Sequence, residues 1–230
     1  MPRFADICHM RILLVSATHA VLLPTAKWLE RDSLQTEHEV TGVGQLQTAY
    51  CLLKKIYNHR PHFIIQAGIG GSNDTKNIGS LFGIRSERLA DLGVEEKTVF
   101  KSIFELKLAD PDHFPFSDGL LKNPYTRLMT WSGLNFLDGI TVNEISTRAL
   151  RIKSYKQYSG SVVESMEGAA LHYICLMEKI PFLQIRSVSN ELGERDKSRW
   201  KLSESLSVLN ATVIDFIKKL QTIDETIFRF

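Results

Sequence analysis

Short apolar runs alternate along the chain with longer segments whose apolar residues recur every three or four positions. The runs, at residues 11–18, 63–65, 84–88, 140–143, 162–163 and 182–185, are short enough to be buried strands. Residues 45–57 and 169–179 have helical character. A last helix, with Ser203 as its predicted cap, places these apolar residues at helical spacing: Leu206, Leu209, Val213, Phe216, Ile217 and Leu220. Strands that alternate with helices predict a three-layer αβα domain of the α/β class.

Length and composition bound the number of domains. A chain of 230 residues with 43% hydrophobic residues can bury one full core, so residues 10–230 are predicted to form a single domain. Residues 1–9 lack periodicity and are interpreted as an N-terminal extension, with Met10 as a candidate natural start. Residues 109–124 contain prolines, phenylalanines and an Asp-Gly pair, and they are expected to form a long loop.

Charge and cysteine content narrow the choice of partner. The 28 lysines and arginines nearly balance the 26 aspartates and glutamates, which argues against a nucleic-acid surface and favours a small molecule. Three widely spaced cysteines indicate neither a disulfide framework nor a zinc site, and no metal or cofactor is expected. No apolar run approaches the ~20 residues of a membrane span, so a soluble, cytoplasmic protein is predicted.

Two motifs that follow strand-like runs carry the strongest signal of function. ESMEG occupies residues 164–168 and RSVSN residues 186–190, each near the C-terminal end of a predicted strand, where open α/β sheets bind ligands. Glu167 can accept two hydrogen bonds from a vicinal diol such as the ribose 2′- and 3′-hydroxyls. The alternative for Glu164 and Glu167 is an acidic residue at a helix start. Together the motifs indicate a nucleoside site.

Polar residues in and beside the second motif support this interpretation. Arg186 lies on an otherwise apolar strand and needs a buried acceptor, for which Glu167 is the expected partner. Asn190 carries a donor and an acceptor on one amide, so it can read the N7 and O6 edge of a 6-oxopurine or cap a turn. Met166 can pack on a sugar face or fill the core.

A glycine-rich segment, QAGIGGS at residues 66–72, follows another strand. Gly70 and Gly71 either present backbone N–H groups to a phosphate or sugar oxygen or form a tight strand-to-helix turn. The spacing matches neither a phosphate-binding P-loop nor a dinucleotide fingerprint. The charged run at residues 194–201 either closes over a ligand or, as is favoured for most of its residues, forms a solvated loop before the last helix.

In their longer forms, ESMEGAA and IRSVSN, the two motifs resemble those of the futalosine hydrolase family within the phosphorylase–nucleosidase superfamily. The similarity runs from about residue 10 to residue 220, through QAGIGGS at 66–72, SERLADLG at 86–93, FPF at 114–116, GITVN at 139–143 and GERDKSRW at 193–200. It implies a mixed, twisted central sheet flanked by helices and a homodimer or larger homo-oligomer. The implied reaction is hydrolysis of futalosine to dehypoxanthine futalosine and hypoxanthine, in menaquinone biosynthesis.

The resemblance also implies roles for single residues. Glu167 would hold the ribose hydroxyls and stabilise an oxocarbenium-like transition state, while Arg186 would orient Glu167 or the attacking water. Related nucleosidases that release adenine have an aspartate at the position of Asn190, where it protonates the leaving purine at N7. Asparagine cannot act as an acid but can donate a hydrogen bond to N7 and to a 6-oxo group, which favours hypoxanthine as the leaving group. Val142 and Asn143 would border the purine, and Ser189 would support the loop that binds the base. Arg88 and Asp91 lie in a segment that could reach the carboxybenzoyl tail.

One position departs from the pattern of the related nucleosidases. Val21 stands where they carry a glutamate that acts as general base toward water. Either His19 takes that role, or Glu167 and Arg186 suffice, or turnover has been lost. The sequence therefore leaves three alternatives to futalosine hydrolysis: another purine nucleosidase, a nucleoside phosphorylase with a phosphate cradle near Gly70 and Gly71, and a catalytically weak nucleoside-binding protein.

Overall fold

The computed structural model describes residues 10–31, 36–97, 99–220 and 225–228, so the predicted extension at residues 1–9 lies outside the described residues. The strands are β1 (Ile12–Ser16), β2 (Thr36–Val40), β3 (Phe63–Ser72), β4 (Leu81–Leu89), β5 (Gly93–Glu96), β6 (Val99–Ser102), β7 (Leu121–Lys122), β8 (Phe136–Thr141), β9 (Val162–Ser165) and β10 (Phe182–Glu191). The α-helices are α1 (Leu23–Leu29), α2 (Gln45–Asn58), α3 (Thr126–Ser132), α4 (Ala149–Ser159), α5 (Gly168–Glu178) and α6 (Leu202–Leu220).

The main sheet is mixed, and part of it closes on itself. Strands β2, β1 and β3 form a parallel edge. Beyond them β3, β10, β4, β8 and β9 pair in a ring, because β9 returns to pair with β3. The ring contains parallel pairs such as β3 with β10 and antiparallel pairs such as β4 with β10. The predicted α/β fold with a mixed central sheet is confirmed.

The two longest strands, β3 and β10, run side by side through this sheet. β3 is buried along almost its whole length, as expected of a strand covered on both faces. The glycine-rich segment belongs to β3, so its interpretation as a tight strand-to-helix turn is wrong. β10 likewise continues beyond the predicted end at residue 185 as far as Glu191. Both extensions carry candidate site residues into regular sheet.

The helices bury the faces that their sequence periodicity predicts. α2 buries Thr48, Leu52 and Ile56, which lie one turn apart, and it packs against α5. α6 packs on β3, β10 and α1. It begins at Leu202, which places Ser203 inside the first turn, so the prediction of Ser203 as the cap is wrong.

A buried asparagine in α6 anchors the segment that follows β1. Asn210 Oδ1 accepts hydrogen bonds from Thr25 N at 3.1 Å and Thr25 Oγ1 at 2.6 Å, while Asn210 Nδ2 donates to Val21 O at 2.9 Å. Asn210 is 4% exposed, so these polar groups have little access to water as an alternative partner. The position of Val21 is therefore tied to helix α6.

Short polar strands were not predicted from the sequence. The edge strand β2, with sequence TEHEV, and the exposed β5–β6 hairpin have no clear apolar run. The predicted loop at residues 109–124 is largely irregular but contains β7, which pairs with β4. Within the described residues, no helix has both the length and the apolar character that crossing a bilayer requires.

Candidate nucleoside site

The predicted site residues converge on a cavity of about 250 Å³ at the C-terminal ends of β1, β3 and β10. Ligands in open α/β sheets bind at such strand ends. Seven of the predicted residues line the cavity: Gly70, Gly71, Met166, Glu167, Arg186, Ser189 and Asn190. The two motifs, nineteen residues apart between Glu167 and Arg186, are thus brought together in one concave site.

Glu167 is held by a buried arginine and by the start of α2. Arg186 Nη2 lies 3.5 Å from Glu167 Oε2, so the predicted pairing of these two residues is present. The backbone N–H of Gly44, which precedes α2, donates to Glu167 Oε1 at 3.2 Å. Glu167 is 6% exposed and directly precedes α5, but its side chain makes no capping bond to that helix. Its carboxylate is therefore oriented for the cavity and not used as a helix cap.

Arg186 sits in a space that β3 leaves open. A Cβ on Gly68, which pairs with Arg186 across the two strands, would collide with Arg186 Nη1. The guanidinium also donates from Nη2 to Gln66 Oε1 at 2.8 Å. Burial lowers the pKa of Arg186, while the charges of Glu167 and Glu87 act in the opposite direction. Neighbouring carboxylates thus offset the cost of burying this cation.

The amide of Asn190 is held in one orientation. Ser189 Oγ donates to Asn190 Oδ1 at 2.7 Å, which leaves Nδ2 to donate to Glu191 O at 2.8 Å. A primary amide has a second N–H on Nδ2 and a second lone pair on Oδ1, so Asn190 retains capacity for a ligand. A turn cap is not its role, because Asn190 lies inside β10.

Glu164 lines the same cavity and is 6% exposed. It lies within β9, so its interpretation as an acidic residue at a helix start is wrong. Burial raises the pKa of Glu164 to about 7; the nearby positive charge of Arg195 lowers it and the negative charge of Asp91 raises it. Glu164 is therefore a carboxyl group at the cavity wall whose pKa lies near neutral pH.

A second buried carboxyl group lies behind the site. Glu87 accepts hydrogen bonds from Gln184 Nε2 at 2.8 Å and Thr141 Oγ1 at 2.9 Å, in a slot where a Cβ on Gly139 or Gly168 would clash. It is fully buried, and burial raises its pKa to about 7. Because Gly168 is the first residue of α5, Glu87 packs directly against the helix start that follows Glu167.

Several predicted residues lie elsewhere. His19 is exposed, stacks on His38 with ring centroids 6.3 Å apart, and does not line the cavity, whereas Val21 does. The Val142 side chain is fully buried in a core cluster. Asp91 accepts from the backbone N–H groups of Asn143 and Glu144, so it shapes the loop after β8 and does not line the cavity.

Arg88, the predicted partner of the substrate tail, lines a different depression. That depression, of about 420 Å³, also includes Ser102, Phe104 and Glu105. The structure therefore does not bring Arg88 to the nucleoside cavity.

Part of the lining comes from residues for which the sequence favoured another interpretation or gave none. Arg195 and Trp200, from the run interpreted mainly as a solvated loop, close one side of the cavity, with the guanidinium 5.7 Å from the Trp200 ring centroid. Ile145 lines the cavity as well. The sequence did contain one indication that this segment is partly buried: a tryptophan among six charged residues, because large aromatic side chains are seldom fully exposed to solvent.

Comparison with known proteins also indicates a nucleoside site, through relatives that are similar in sequence. No protein-family model matches the chain. The sequence is 29% identical over 178 residues to the futalosine hydrolase of Streptomyces coelicolor, covering 75% of this chain and 74% of that protein. It is 27% identical over 177 residues to the futalosine hydrolase of Thermus thermophilus, covering 75% and 77%. These matches confirm the resemblance predicted from the motifs.

Solved structures share the fold. The futalosine hydrolase of Helicobacter pylori superposes with a TM-score of 0.71 at 13% identity, over 92% of this chain and 97% of that chain. The 5′-methylthioadenosine nucleosidase of Arabidopsis thaliana gives a TM-score of 0.74 at 18% identity, over 93% and 97%. At these identities the likeness establishes the architecture, including the mixed central sheet.

Proposed function

We propose that this chain, like the proteins it matches in sequence, is a futalosine hydrolase that releases hypoxanthine and dehypoxanthine futalosine in menaquinone biosynthesis. The observation that carries the proposal is the shared cavity of the Glu167–Arg186 pair and the oriented Asn190 amide. Those groups match the two ends of a purine nucleoside, a ribose diol and a purine edge.

Glu167 acts on the sugar in this proposal. Its carboxylate accepts hydrogen bonds from the ribose 2′- and 3′-hydroxyls, and its negative charge stabilises the positive charge that develops as the glycosidic bond breaks. Arg186 and the Gly44 N–H keep the carboxylate in place, so little reorganisation is needed in the transition state. Met166 packs beside the sugar at the same wall of the cavity.

Asn190 acts on the leaving group. Its amide donates toward N7 or O6 of hypoxanthine and stabilises negative charge on the departing base. An asparagine cannot transfer a proton to the base, which favours a 6-oxopurine, whose oxygen already helps to carry the charge. Ser189 supports the donor by holding Asn190 Oδ1 at 2.7 Å.

Water is the proposed acceptor of the ribosyl group. Among the described residues that line the cavity the cations are Arg186 and Arg195, and Arg186 already faces Glu167 and Gln66. Neither Lys76 nor another lysine of the described part lines it, so support for a phosphate cradle at Gly70 and Gly71 is weak. With Val21 at the wall and His19 outside, we infer that Glu167 and Arg186 position the water without a separate carboxylate base.

The cavity is small for the whole substrate. At about 250 Å³ it falls below the ~300–1,000 Å³ usual for sites that enclose drug-sized ligands. It suits the nucleoside part, and the tail then extends through the mouth. We further propose a cytoplasmic homodimer or larger homo-oligomer, as the resemblance implies.

A substrate panel tests this function. Purified protein is incubated with futalosine, 5′-methylthioadenosine and inosine in phosphate-free buffer, and free base is measured by chromatography. Rapid release of hypoxanthine from futalosine, with little cleavage of the other two, is expected. Preferential cleavage of 5′-methylthioadenosine, or cleavage only after phosphate is added, would instead support another nucleosidase or a phosphorylase.

A further inference from the structure

The Glu164 side chain is largely buried at the cavity wall and has no partner among the side chains that the structure describes. The residue is 6% exposed, and it has no hydrogen-bond or ion-pair partner within 4.0 Å among the described side chains, those of residues 10–31, 36–97, 99–155, 160–220 and 227–228. A largely buried carboxyl group that lines a cavity satisfies its hydrogen-bonding capacity with whatever occupies the cavity. A ligand with a suitably placed donor would supply the missing partner.

Strand register places this carboxyl group in line with Asn190. Asn190 in β10 pairs with Gly71 in β3, and Gly71 pairs with Glu164 in β9. Residues in register on neighbouring strands project from the same face of a sheet. The middle residue is a glycine, and a Cβ on Gly71 would press against Asn190 Nδ2 at 3.2 Å. The row therefore presents two polar side chains on either side of a glycine, where an added Cβ would also meet Leu192 Cδ2 at 3.1 Å.

The chemistry of 6-oxopurines fits this row. N7 and O6 are acceptors, which an asparagine amide can address. The next ring position, N1, carries a hydrogen and donates, whereas N1 of adenine is an acceptor. An ionised carboxylate accepts only, so above the pKa of about 7 that burial gives Glu164 it binds N1–H of a 6-oxopurine and is repelled by N1 of adenine, whereas the protonated acid would donate to that N1.

We propose that Glu164 determines specificity for the base by accepting a hydrogen bond from N1–H of the 6-oxopurine, opposite Asn190. This inference rests on the proposed function, since it assigns the partner of the same base. It adds a second recognition group, on a different strand, to the one that the motif around Asn190 supplies.

The neighbouring charges are compatible with this role. Arg195 favours the carboxylate form of Glu164, Asp91 opposes it, and the Tyr155 hydroxyl lies close enough to respond to the charge of Glu164. A donated N1–H hydrogen bond adds to the effect of Arg195, because hydrogen bonding to the charged form favours that form.

Binding of free bases tests the proposal without requiring catalysis. Calorimetry measures the Kd of hypoxanthine, 1-methylhypoxanthine and adenine for the wild type, Glu164→Gln and the exposed control Glu204→Gln. The wild type and the control should bind hypoxanthine at least about tenfold more tightly than 1-methylhypoxanthine, which lacks the N1–H donor. In E164Q the neutral amide oxygen still accepts from N1–H, but more weakly than a carboxylate, and the amide N–H also donates to N1 of adenine, so the preference for hypoxanthine over adenine should shrink at least about tenfold.

Two results would overturn the inference: equal binding of hypoxanthine and 1-methylhypoxanthine by the wild type, or an unchanged ratio of the Kd values for hypoxanthine and adenine in E164Q. The wild-type comparison stands even if the variant fails to fold. Futalosine cleavage is measured in parallel. If futalosine is cleaved but hypoxanthine and 1-methylhypoxanthine bind equally well, only the role of Glu164 is wrong. If the two bases bind differently but futalosine is not cleaved, only the hydrolase function is wrong.

Discussion

At the scale of single residues, the site depends on side chains whose orientation is set by neighbours. Arg186 is accommodated because Gly68 lacks a Cβ, and Asn190 is oriented by the Ser189 hydroxyl. The sequence predicted the Arg186–Glu167 pair, since a buried guanidinium requires an acceptor. It did not predict Gln66 as a second acceptor, although a glutamine in an apolar run carries the same signal as Arg186.

Removing the Asn190 amide should slow base release. For Asn190→Ala we expect kcat for futalosine to fall about 100- to 1,000-fold, the usual cost of losing one donor to developing negative charge. Steady-state kinetics measure the change, with Asn58→Ala, an exposed asparagine at the end of α2, as the control. A fall below threefold would mean that Asn190 does not contact the leaving group.

Val21 offers a direct test of water activation. A carboxylate at this cavity wall should act as general base toward water, and general bases contribute typically 10²–10⁴-fold. We expect Val21→Glu to raise kcat at least about tenfold, while Val21→Gln, similar in size but not basic, should not. Equal rates for the two variants would indicate that the wild type already activates water fully.

At the scale of secondary structure, long apolar elements were predicted well and their ends were not. α2, α5, α6 and the buried strands follow from periodicity, because burial of one face dictates the pattern. β3 and β10 extend several residues past their apolar runs, since pairing with β9 and β4 stabilises polar and glycine positions that have no strand signal of their own. Glu164 was misread for this reason, because its strand is set by partners distant in sequence.

The bridge between α1 and α6 predicts a stability effect. Asn210→Ala should lower the free energy of unfolding by about 2–4 kcal/mol, because the Thr25 N–H and hydroxyl and the Val21 carbonyl each lose a buried partner. Urea denaturation measures the loss, with the exposed Ser207→Ala on the same helix as the control. If Asn210→Ala lowers the free energy of unfolding no more than Ser207→Ala does, the Thr25 and Val21 groups must find other hydrogen-bond partners.

At the scale of the whole molecule, buried ionisable groups link stability to pH. Burial raises the pKa of Glu87 from 4.5 to about 7. Between these two pH values Glu87 is protonated in the folded state and ionised in the unfolded state. Stability from this group is therefore lost as pH rises from about 4.5 to 7. His172, whose pKa burial lowers to about 4, adds stability as pH rises from 4 to 6.5, so the wild-type profile alone does not isolate either group.

The difference between two proteins isolates Glu87. Glu87→Gln should match the wild type in unfolding free energy near pH 4.5 and exceed it by roughly 3 kcal/mol at pH 8, at about 1.4 kcal/mol per pKa unit. Urea titrations at both pH values measure this, with Glu204→Gln as the control. A constant difference across the range would mean that Glu87 is ionised throughout.

The protonated form of Glu87 also accounts for two buried atoms without partners. Among the described residues, Gln184 Oε1 and His172 Nε2 have no hydrogen-bond partner, while Gln184 Nε2 donates to Glu87 Oε1 and His172 Nδ1 lies 2.9 Å from Leu121 O. If the Gln184 amide is turned over, Oε1 accepts from a protonated Glu87 and Nε2 donates to His172 Nε2. All the groups are then paired, which links the protonation of Glu87 to the packing beneath α5.

The most direct test of the central claim is the mass of the sugar product formed from futalosine by the purified protein in buffer that contains phosphate. A hydrolase gives dehypoxanthine futalosine without phosphate, together with hypoxanthine, at a rate independent of phosphate concentration, and this is the expected result. A phosphorylated sugar would identify a phosphorylase. Intact futalosine after prolonged incubation would show that the cavity binds nucleosides without cleaving them.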